Sequence, residues 1–187
     1  MLLDPSTIIN GTESGTLIDF WQWAYSDILS NRNRSVFAEY IVASALELLS
    51  SERIEWDSKD LVYRGIYLEV KSAAYAQSWN QEKPSRISFD IAKKNAWDSN
   101  TDEKHPESIR ASEIYIFCLY KPYNKSQIEV LDLNNWSFFI VETKILDSLY
   151  KDNKQISLSK VKKISHETKY NEIRKRIDTI IKDIKET

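Results

Sequence analysis

Residues 61–71 read Leu61-Val62-Tyr63-Arg64-Gly65-Ile66-Tyr67-Leu68-Glu69-Val70-Lys71 and predict a β-hairpin. Two short segments rich in strand-forming residues flank Gly65. Gly65 is one of only three glycines in the chain, so we place the turn there. Successive side chains of a strand point to opposite faces, so Glu69 and Lys71 are expected to project from the same face of the second strand.

An acidic residue stands at the base of this hairpin. Asp60 immediately precedes the first strand, nine positions before Glu69, and a hairpin of this length returns Asp60 to the level of Glu69 and Lys71. Carboxylates are hard oxygen ligands that suit Mg²⁺, which is usually held by one or two carboxylates together with substrate phosphate oxygens. A lysine beside them can orient an attacking water or neutralise charge on the phosphate. The cluster therefore predicts a Mg²⁺ (or Mn²⁺) site suited to phosphodiester hydrolysis.

Glu39 is a third acidic candidate, on a preceding helix. Apolar residues recur at helical spacing between Val36 and Leu48, after a predicted cap at Asn33 or Ser35, and indicate an amphipathic helix packed on a sheet. Two interpretations of Glu39 stay open. It lies at the edge of the packed face, or it points into the site, where an unpaired buried carboxylate would be costly.

Two alternatives compete with this assignment. A Glu-x-Lys pair on a strand is a common surface ion pair of small energetic value. Asp57 lies three residues before Asp60 and would replace it if the first strand began earlier. We favour Asp60 because it directly abuts the apolar strand.

The order of Glu39, Asp60 and Glu69-x-Lys71 resembles the PD-(D/E)xK, or restriction-endonuclease-like, nuclease superfamily, over roughly residues 31–145. The runs 33–40, 69–79 and 85–89 are also similar to an uncharacterised bacterial group with that core. The resemblance implies an α/β fold in which helices flank a mixed sheet with a central antiparallel hairpin. It also implies metal-dependent DNA hydrolysis, with Asp60 and Glu69 as metal ligands, Lys71 assisting the water and Glu39 ligating or supporting the metal. By analogy, the setting is bacterial defence or a mobile element.

Polar and aromatic residues after Lys71 are candidates for substrate binding. Gln77 and Arg86 could contact a phosphate or a base edge, and Trp79 could stack on an unpaired base. The alternative is that all three pack and hydrogen-bond locally.

Length and composition predict one domain. The chain has 187 residues, 42% of them hydrophobic, which suits a single compact domain over 1–187. We divide it into a nuclease-like core (31–145), an N-terminal helical extension (14–30) and a C-terminal basic amphipathic helix (168–186). Further strands are expected at 87–91, 113–120, 127–131 and 136–141, and a polar loop is expected at 98–110.

Charge gives mixed indications about partners. The net charge of −2 and the pI of about 5.8 provide no overall basic footprint of the kind common in nucleic-acid binders. Residues 151–187, however, contain eleven Lys or Arg and six Asp or Glu, so this segment could approach the phosphate backbone of DNA. A solvated helix face is the alternative. The apolar stripe of the predicted C-terminal helix must pack on the core of the same chain or on a second copy, which would make a homodimer.

The remaining features exclude several classes of site. Cys118 is the single cysteine and lies in an apolar strand, so we expect a buried structural residue and a reducing, cytoplasmic setting. No zinc spacing, glycine-rich phosphate loop, targeting segment or membrane span is found. Two non-enzymatic interpretations stay open. The chain could be a nucleic-acid-binding or assembly module that keeps the nuclease fold, or a structural α/β protein whose acids are surface ion pairs.

Overall fold

The structure is a computed structural model that describes residues 2–13, 15–50, 52–53, 59–98 and 103–186. The helices are α1 (Leu17–Tyr25), α2 (Asn31–Ala45), α3 (Thr143–Leu149), α4 (Leu158–Ile164) and α5 (Ile173–Glu186). The strands are β1 (Leu61–Tyr63), β2 (Ile66–Ala74), β3 (Ser88–Asp90), β4 (Lys94–Asp98), β5 (Glu103–Ile109), β6 (Ile114–Tyr120), β7 (Trp136–Glu142) and β8 (Gln155–Ser157). Short 3-10 helices cover Glu129–Leu131, Leu133–Asn135 and Tyr170–Glu172.

The main sheet is mixed and has the strand order β1-β2-β6-β7. β2 is antiparallel to β1 on one side and parallel to β6 on the other. β7 is antiparallel to β6. The expected mixed α/β architecture is therefore confirmed. The hairpin β1–β2, however, lies at one edge of the sheet and not at its centre, because within the described residues β1 pairs only with β2.

The sheet is covered on both faces by apolar clusters. Residues of α2 and α5, including Ile41, Val42, Ile177 and Ile180, pack with Leu68 and Val70 on one face. The opposite face packs Phe117 and Phe139 against residues around β3, β8, α3 and α4. β6 is buried along its whole length, as expected for a strand covered on both faces. Cys118 is fully buried within it, and burial raises the pKa of its thiol.

The turn of the hairpin has the predicted position. Arg64 and Gly65 have φ values of 51° and 79°, so both central residues of the two-residue turn lie in the left-handed region. Turns with two positive φ values match the twist of paired strands, and glycine adopts this conformation without strain. The turn fixes the pairing of Tyr63 with Ile66 and of Leu61 with Leu68.

Three local predictions differ from the structure. Helix α2 begins at Asn31, with Ser30 as its N-cap, and not after Asn33 or Ser35. The predicted strand at 127–131 is instead partly a 3-10 helix, Glu129–Leu131. The predicted loop at 98–110 contains β5, which pairs with β4. Pro106 falls within an irregularity of that pairing, where the missing N–H breaks no regular ladder bond.

Both predicted terminal helices are present, with narrower bounds. The N-terminal extension contains α1, and the C-terminal segment forms α5 after a 3-10 turn. The isoleucines of α5 are buried in the chain's own core, so the apolar stripe needs no second copy to cover it. Within the part of the chain that the structure describes, no helix has the length and apolar character needed to cross a membrane.

Candidate active site

The hairpin brings Asp60 to Glu69. Continuing the pairing of Leu61 with Leu68 by one residue sets Asp60 opposite Glu69. The backbone N–H of Asp60 donates to the carbonyl of Leu68 at 3.2 Å, and the Asp60 carboxylate accepts a 2.7 Å hydrogen bond from the N–H of Val70. Asp60 is therefore held at both its backbone and its side chain against the edge of β2.

Glu69 and Lys71 project from the same face of β2, as the strand alternation predicts. The ammonium of Lys71 donates to Oε1 of Glu69, and Nζ of the more exposed Lys94 lies 3.6 Å from the same oxygen. Glu69 is 8% exposed, so this ion pair is not a fully solvated surface pair.

Charge and burial shift the titration of two of these groups. Burial, followed by the charge of Glu69, raises the pKa of Asp60 to about 6, although the Val70 hydrogen bond and Lys71 act in the opposite direction. Burial lowers the pKa of Lys71, but the negative charges of Glu69, Asp60 and Asp90 outweigh burial and raise it above its ordinary value. Lys71 is therefore a cation at neutral pH, surrounded by acids that repel one another.

Glu39 lies near this cluster but is already paired. Its two carboxylate oxygens accept hydrogen bonds from Nε and Nη2 of Arg53, the latter at 2.9 Å. Glu39 and Asp60 line one groove between α2 and β1, and the charge of Glu39 contributes to the raised pKa of Asp60. Glu39 thus adds negative potential to the site, while ligation of a metal by Glu39 would require Arg53 to move.

The donor set fits a magnesium ion held mainly by two carboxylates. Oδ1 of Asp60 and Oε2 of Glu69 accept no hydrogen bond from any described residue. The described residues contain no group of three or more acidic, histidine or cysteine side chains arranged to hold a metal. Mg²⁺ keeps several waters and is usually held by only one or two protein carboxylates, so two carboxylates with one free oxygen each are enough ligands for such an ion.

Asp90 is a neighbour of the site that the sequence did not reveal. It ends β3, on a segment paired with β8, and its charge acts on both Lys71 and Tyr115. Its Oδ1 accepts a 3.0 Å hydrogen bond from the N–H of Ala92. The alternation of Ile87, Phe89 and Ile91 indicated an exposed Asp90, but which strand faces the end of β3 depends on the tertiary fold.

The predicted substrate-binding residues lie in a neighbouring cleft of about 360 Å³. Gln77 is buried, and its amide group donates to the carbonyl of Ala74 and to Ser85 while its oxygen accepts from Arg34 at 3.0 Å. Arg86 is exposed, and Trp79 is 52% exposed at the same cleft. The structure therefore brings all three residues to one cleft. Gln77 is buried and hydrogen-bonded within the protein, whereas Arg86 and Trp79 lie at the surface.

Asp57, the alternative to Asp60, lies outside the described residues. Comparison with protein-family models, with curated proteins and with solved structures finds no match to this chain. The resemblance to the PD-(D/E)xK superfamily therefore stays a prediction that rests on Glu39, Asp60, Glu69 and Lys71.

Proposed function

We propose that the chain is a metal-dependent phosphodiester hydrolase that acts on DNA. The observation that carries the proposal is the meeting of Asp60 and Glu69 across the hairpin, beside the protonated Lys71; each acid has one carboxylate oxygen without a partner among the described residues. Two acids held together in a partly desolvated site, with the pKa of one of them raised, are typical of functional sites.

Each residue has a distinct part in this proposal. Asp60 and Glu69 would hold Mg²⁺ or Mn²⁺, which when bound supplies charge neutralisation at the phosphate and activation of water. Lys71 donates a hydrogen bond at the face where the phosphate would lie and stabilises the charge that builds on its oxygens. Its raised pKa favours this role over that of a general base, because a base must first lose its proton. Glu39 supports the site through its charge.

Cleavage assays test the proposal. Linear double-stranded, circular and single-stranded DNA are incubated with the protein and Mn²⁺ or Mg²⁺, beside Lys71→Ala and Glu69→Ala. We expect metal-dependent cleavage by the natural chain and none by the two variants. Calorimetric titration with Mn²⁺ should show binding that Glu69→Ala abolishes; the absence of any binding by the natural chain would remove the metal site.

A non-catalytic nucleic-acid-binding module is the second candidate. The exposed Trp79 and Arg86 favour it, because they could bind a strand whether or not a metal is held. DNA that is retained by the protein but never cut, with either metal, would select this alternative.

A further inference from the structure

A cleft beside the candidate active site has a positive lining. It lies between the first turn of α2, the end of β2 and residues 85–88, and has a volume of about 360 Å³. Arg34 and Arg86 are its charged lining residues, and among the described residues no Asp or Glu lines it. Hydroxyl and amide groups and one indole make up most of the remaining polar lining, from Asn31, Ser35, Ser72, Gln77, Ser85, Ser88 and Trp79.

Arg34 is a buried cation that has no acidic partner in the part of the chain that the structure describes. It is 4% exposed, and its guanidinium donates only to neutral oxygens, those of Leu29, Asn31 and Gln77, at 2.7–3.0 Å. Its Nε has no hydrogen-bond partner among the described residues. Burial lowers the pKa of Arg34 to about 10, since no neighbouring negative charge offsets the loss of solvent. A buried charge normally has a counter-ion, so an anion bound beside Arg34 would supply the missing counter-charge.

Other elements add to the positive potential in the same place. Asn31, Arg34 and Ser35 lie in the first two turns of the 15-residue helix α2, whose N-terminus carries partial positive charge. Arg86 lines the cleft and is exposed, and it makes no ion pair or side-chain hydrogen bond with another described residue. A helix N-terminus favours a nearby anion, so an anion bound beside Arg34 would be stabilised by both the helix and the guanidinium.

The cleft follows the candidate active site along β2, where its lining begins at Ser72, the residue after Lys71. β1 pairs with β2 only as far as Leu68, so the same edge of β2 has no partner strand beyond that point among the described residues. Val70 directs its N–H toward Asp60 on this edge, and strand alternation points the N–H of Ser72 the same way. Ser35 and Ser72 join α2 to β2 through a 3.2 Å hydroxyl contact in the cleft. Ala73 also lines the cleft and lies on the same face of β2 as Glu69 and Lys71, so a strand that leaves the metal site along this edge meets the cleft next.

We propose that this cleft binds a phosphate group of the nucleic-acid strand, held by Arg34 and Arg86, with the adjoining base stacked on Trp79. The inference rests on the proposed function, because it names where the substrate strand continues beyond the reacting phosphate. Guanidinium groups suit phosphate oxygens, and an exposed indole offers a stacking surface that any base can use. Gln77 is a positioning residue, because its side-chain oxygen accepts a hydrogen bond from Arg34. The phosphate is a terminal monoester or an internal diester, which the same chemistry would recognise.

Binding measurements without metal test this site separately from catalysis. Fluorescence anisotropy in EDTA is recorded with a 3′-labelled single strand carrying a 5′-phosphate, with the same strand carrying a 5′-hydroxyl, and with circular single-stranded DNA as competitor. We expect Arg34→Gln and Arg86→Gln each to weaken binding about tenfold, the scale of one charge-assisted contact. Trp79→Ala should weaken binding about five- to one-hundredfold, and Trp79→Phe much less. Lys163→Gln is the matched control, because it removes an exposed cation of α4 that forms no ion pair with another described residue.

The results separate the two proposals. A preference for the 5′-phosphate that Arg86→Gln abolishes identifies a terminal phosphate, whereas equal competition by circular DNA identifies an internal one. Arg86 is exposed, so Arg86→Gln should fold and still tests the proposal if Arg34→Gln does not fold. If Arg86→Gln leaves the affinity for DNA unchanged, or if Lys163→Gln lowers it equally, the proposal that the cleft binds phosphate is wrong. The nuclease proposal is unaffected by either result. If the protein binds DNA through the cleft but never cuts it, the hydrolysis proposal is wrong and the phosphate-binding proposal stands.

Discussion

Asp60 lies opposite Glu69 across the β1–β2 hairpin, one position beyond the last paired residues, and its carboxylate is hydrogen-bonded to the neighbouring Val70 N–H. The arrangement places two acids side by side at a partly buried edge. Their repulsion is relieved by the Lys71 cation and, below about pH 6, by protonation of Asp60, whose pKa is raised to about 6.

The raised pKa of Asp60 predicts a pH-dependent cost to folding. The ordinary pKa of this group is 3.8 and the folded value is about 6, so the folded state binds more protons between these values. Stability contributed by this residue therefore falls as pH rises from about 4 to 6 and stays low above that range. Asp60→Asn keeps the acceptor for Val70 without the charge. We expect it to raise the free energy of unfolding at pH 7 by roughly 1–2 kcal/mol, allowing for partial solvent exposure.

Urea unfolding in EDTA at several pH values between 4 and 7 measures this effect. The gap between Asp60→Asn and the natural chain should widen across that range. Asp152→Asn, at an exposed position, is the matched control and should show no such widening. A gap that is constant with pH would contradict a raised pKa for Asp60.

The left-handed backbone of Gly65 predicts that a side chain at this position lowers the free energy of unfolding, even where that side chain makes no unfavourable contact. Its φ is 79°, and a Cβ added there would meet no atom within 4 Å of any described residue other than its chain neighbours, so conformational strain is the main cost of a side chain. Gly65→Ala should lower the free energy of unfolding by about 1–2 kcal/mol, the usual cost of left-handed backbone for a residue with a Cβ. Gly65→Asn should cost less, because asparagine tolerates this region. Urea unfolding compares the three proteins, and equal stability of the alanine variant would contradict the turn geometry.

The hairpin and its acids were predictable because they depend on local sequence. Alternation fixes the face of Glu69 and Lys71, and the turn at Gly65 fixes the return of Asp60. The core strand β6 was equally clear from its continuous apolar run. Helices α3 and α4 have seven residues each, too few turns for a helical period to stand out.

The features that the sequence did not reveal depend on distant partners. Arg34 is buried because Gln77, 43 residues away, accepts from it, and nothing near Arg34 in sequence indicates this contact. The pairing of Glu39 with Arg53 and the approach of Asp90 to Lys71 likewise arise from packing between elements. The edge position of the hairpin depends on which strand pairs with β2 from the other side, which periodicity cannot specify.

The pairing of Glu39 with Arg53 predicts that Glu39 contributes more to stability than to metal binding. Glu39→Gln removes the charge that both Arg53 donors contact, leaving a partly exposed guanidinium without its carboxylate. We expect the free energy of unfolding to fall by roughly 1–3 kcal/mol. Mn²⁺ affinity, measured by calorimetry, should change less than about fivefold, or roughly 1 kcal/mol. Loss of metal binding equal to that of Glu69→Gln, in a folded protein, would instead make Glu39 a ligand.

Lys71 and a bound metal are expected to compete for the same negative charge. In the metal-free protein, the ammonium neutralises Glu69 and acts on Asp60, so Lys71→Met should lower the free energy of unfolding. The variant has lost a cation that repels the metal, so we expect its affinity for Mn²⁺ to rise about three- to tenfold, or roughly 1 kcal/mol. Cleavage should nevertheless fall at least about a hundredfold, because the charge developing on the phosphate has lost a donor.

Lys94→Met is the matched control for this last experiment. Nζ of Lys94 also lies near Glu69, at 3.6 Å, but its side chain is 61% exposed and solvent screens its charge. It should therefore change metal affinity, stability and cleavage much less than Lys71→Met does. The three measurements are calorimetric titration with Mn²⁺, urea unfolding in EDTA and the DNA cleavage assay. If Lys71→Met weakens metal binding and cleavage together, Lys71 serves to shape the site, and its proposed action on the phosphate is wrong.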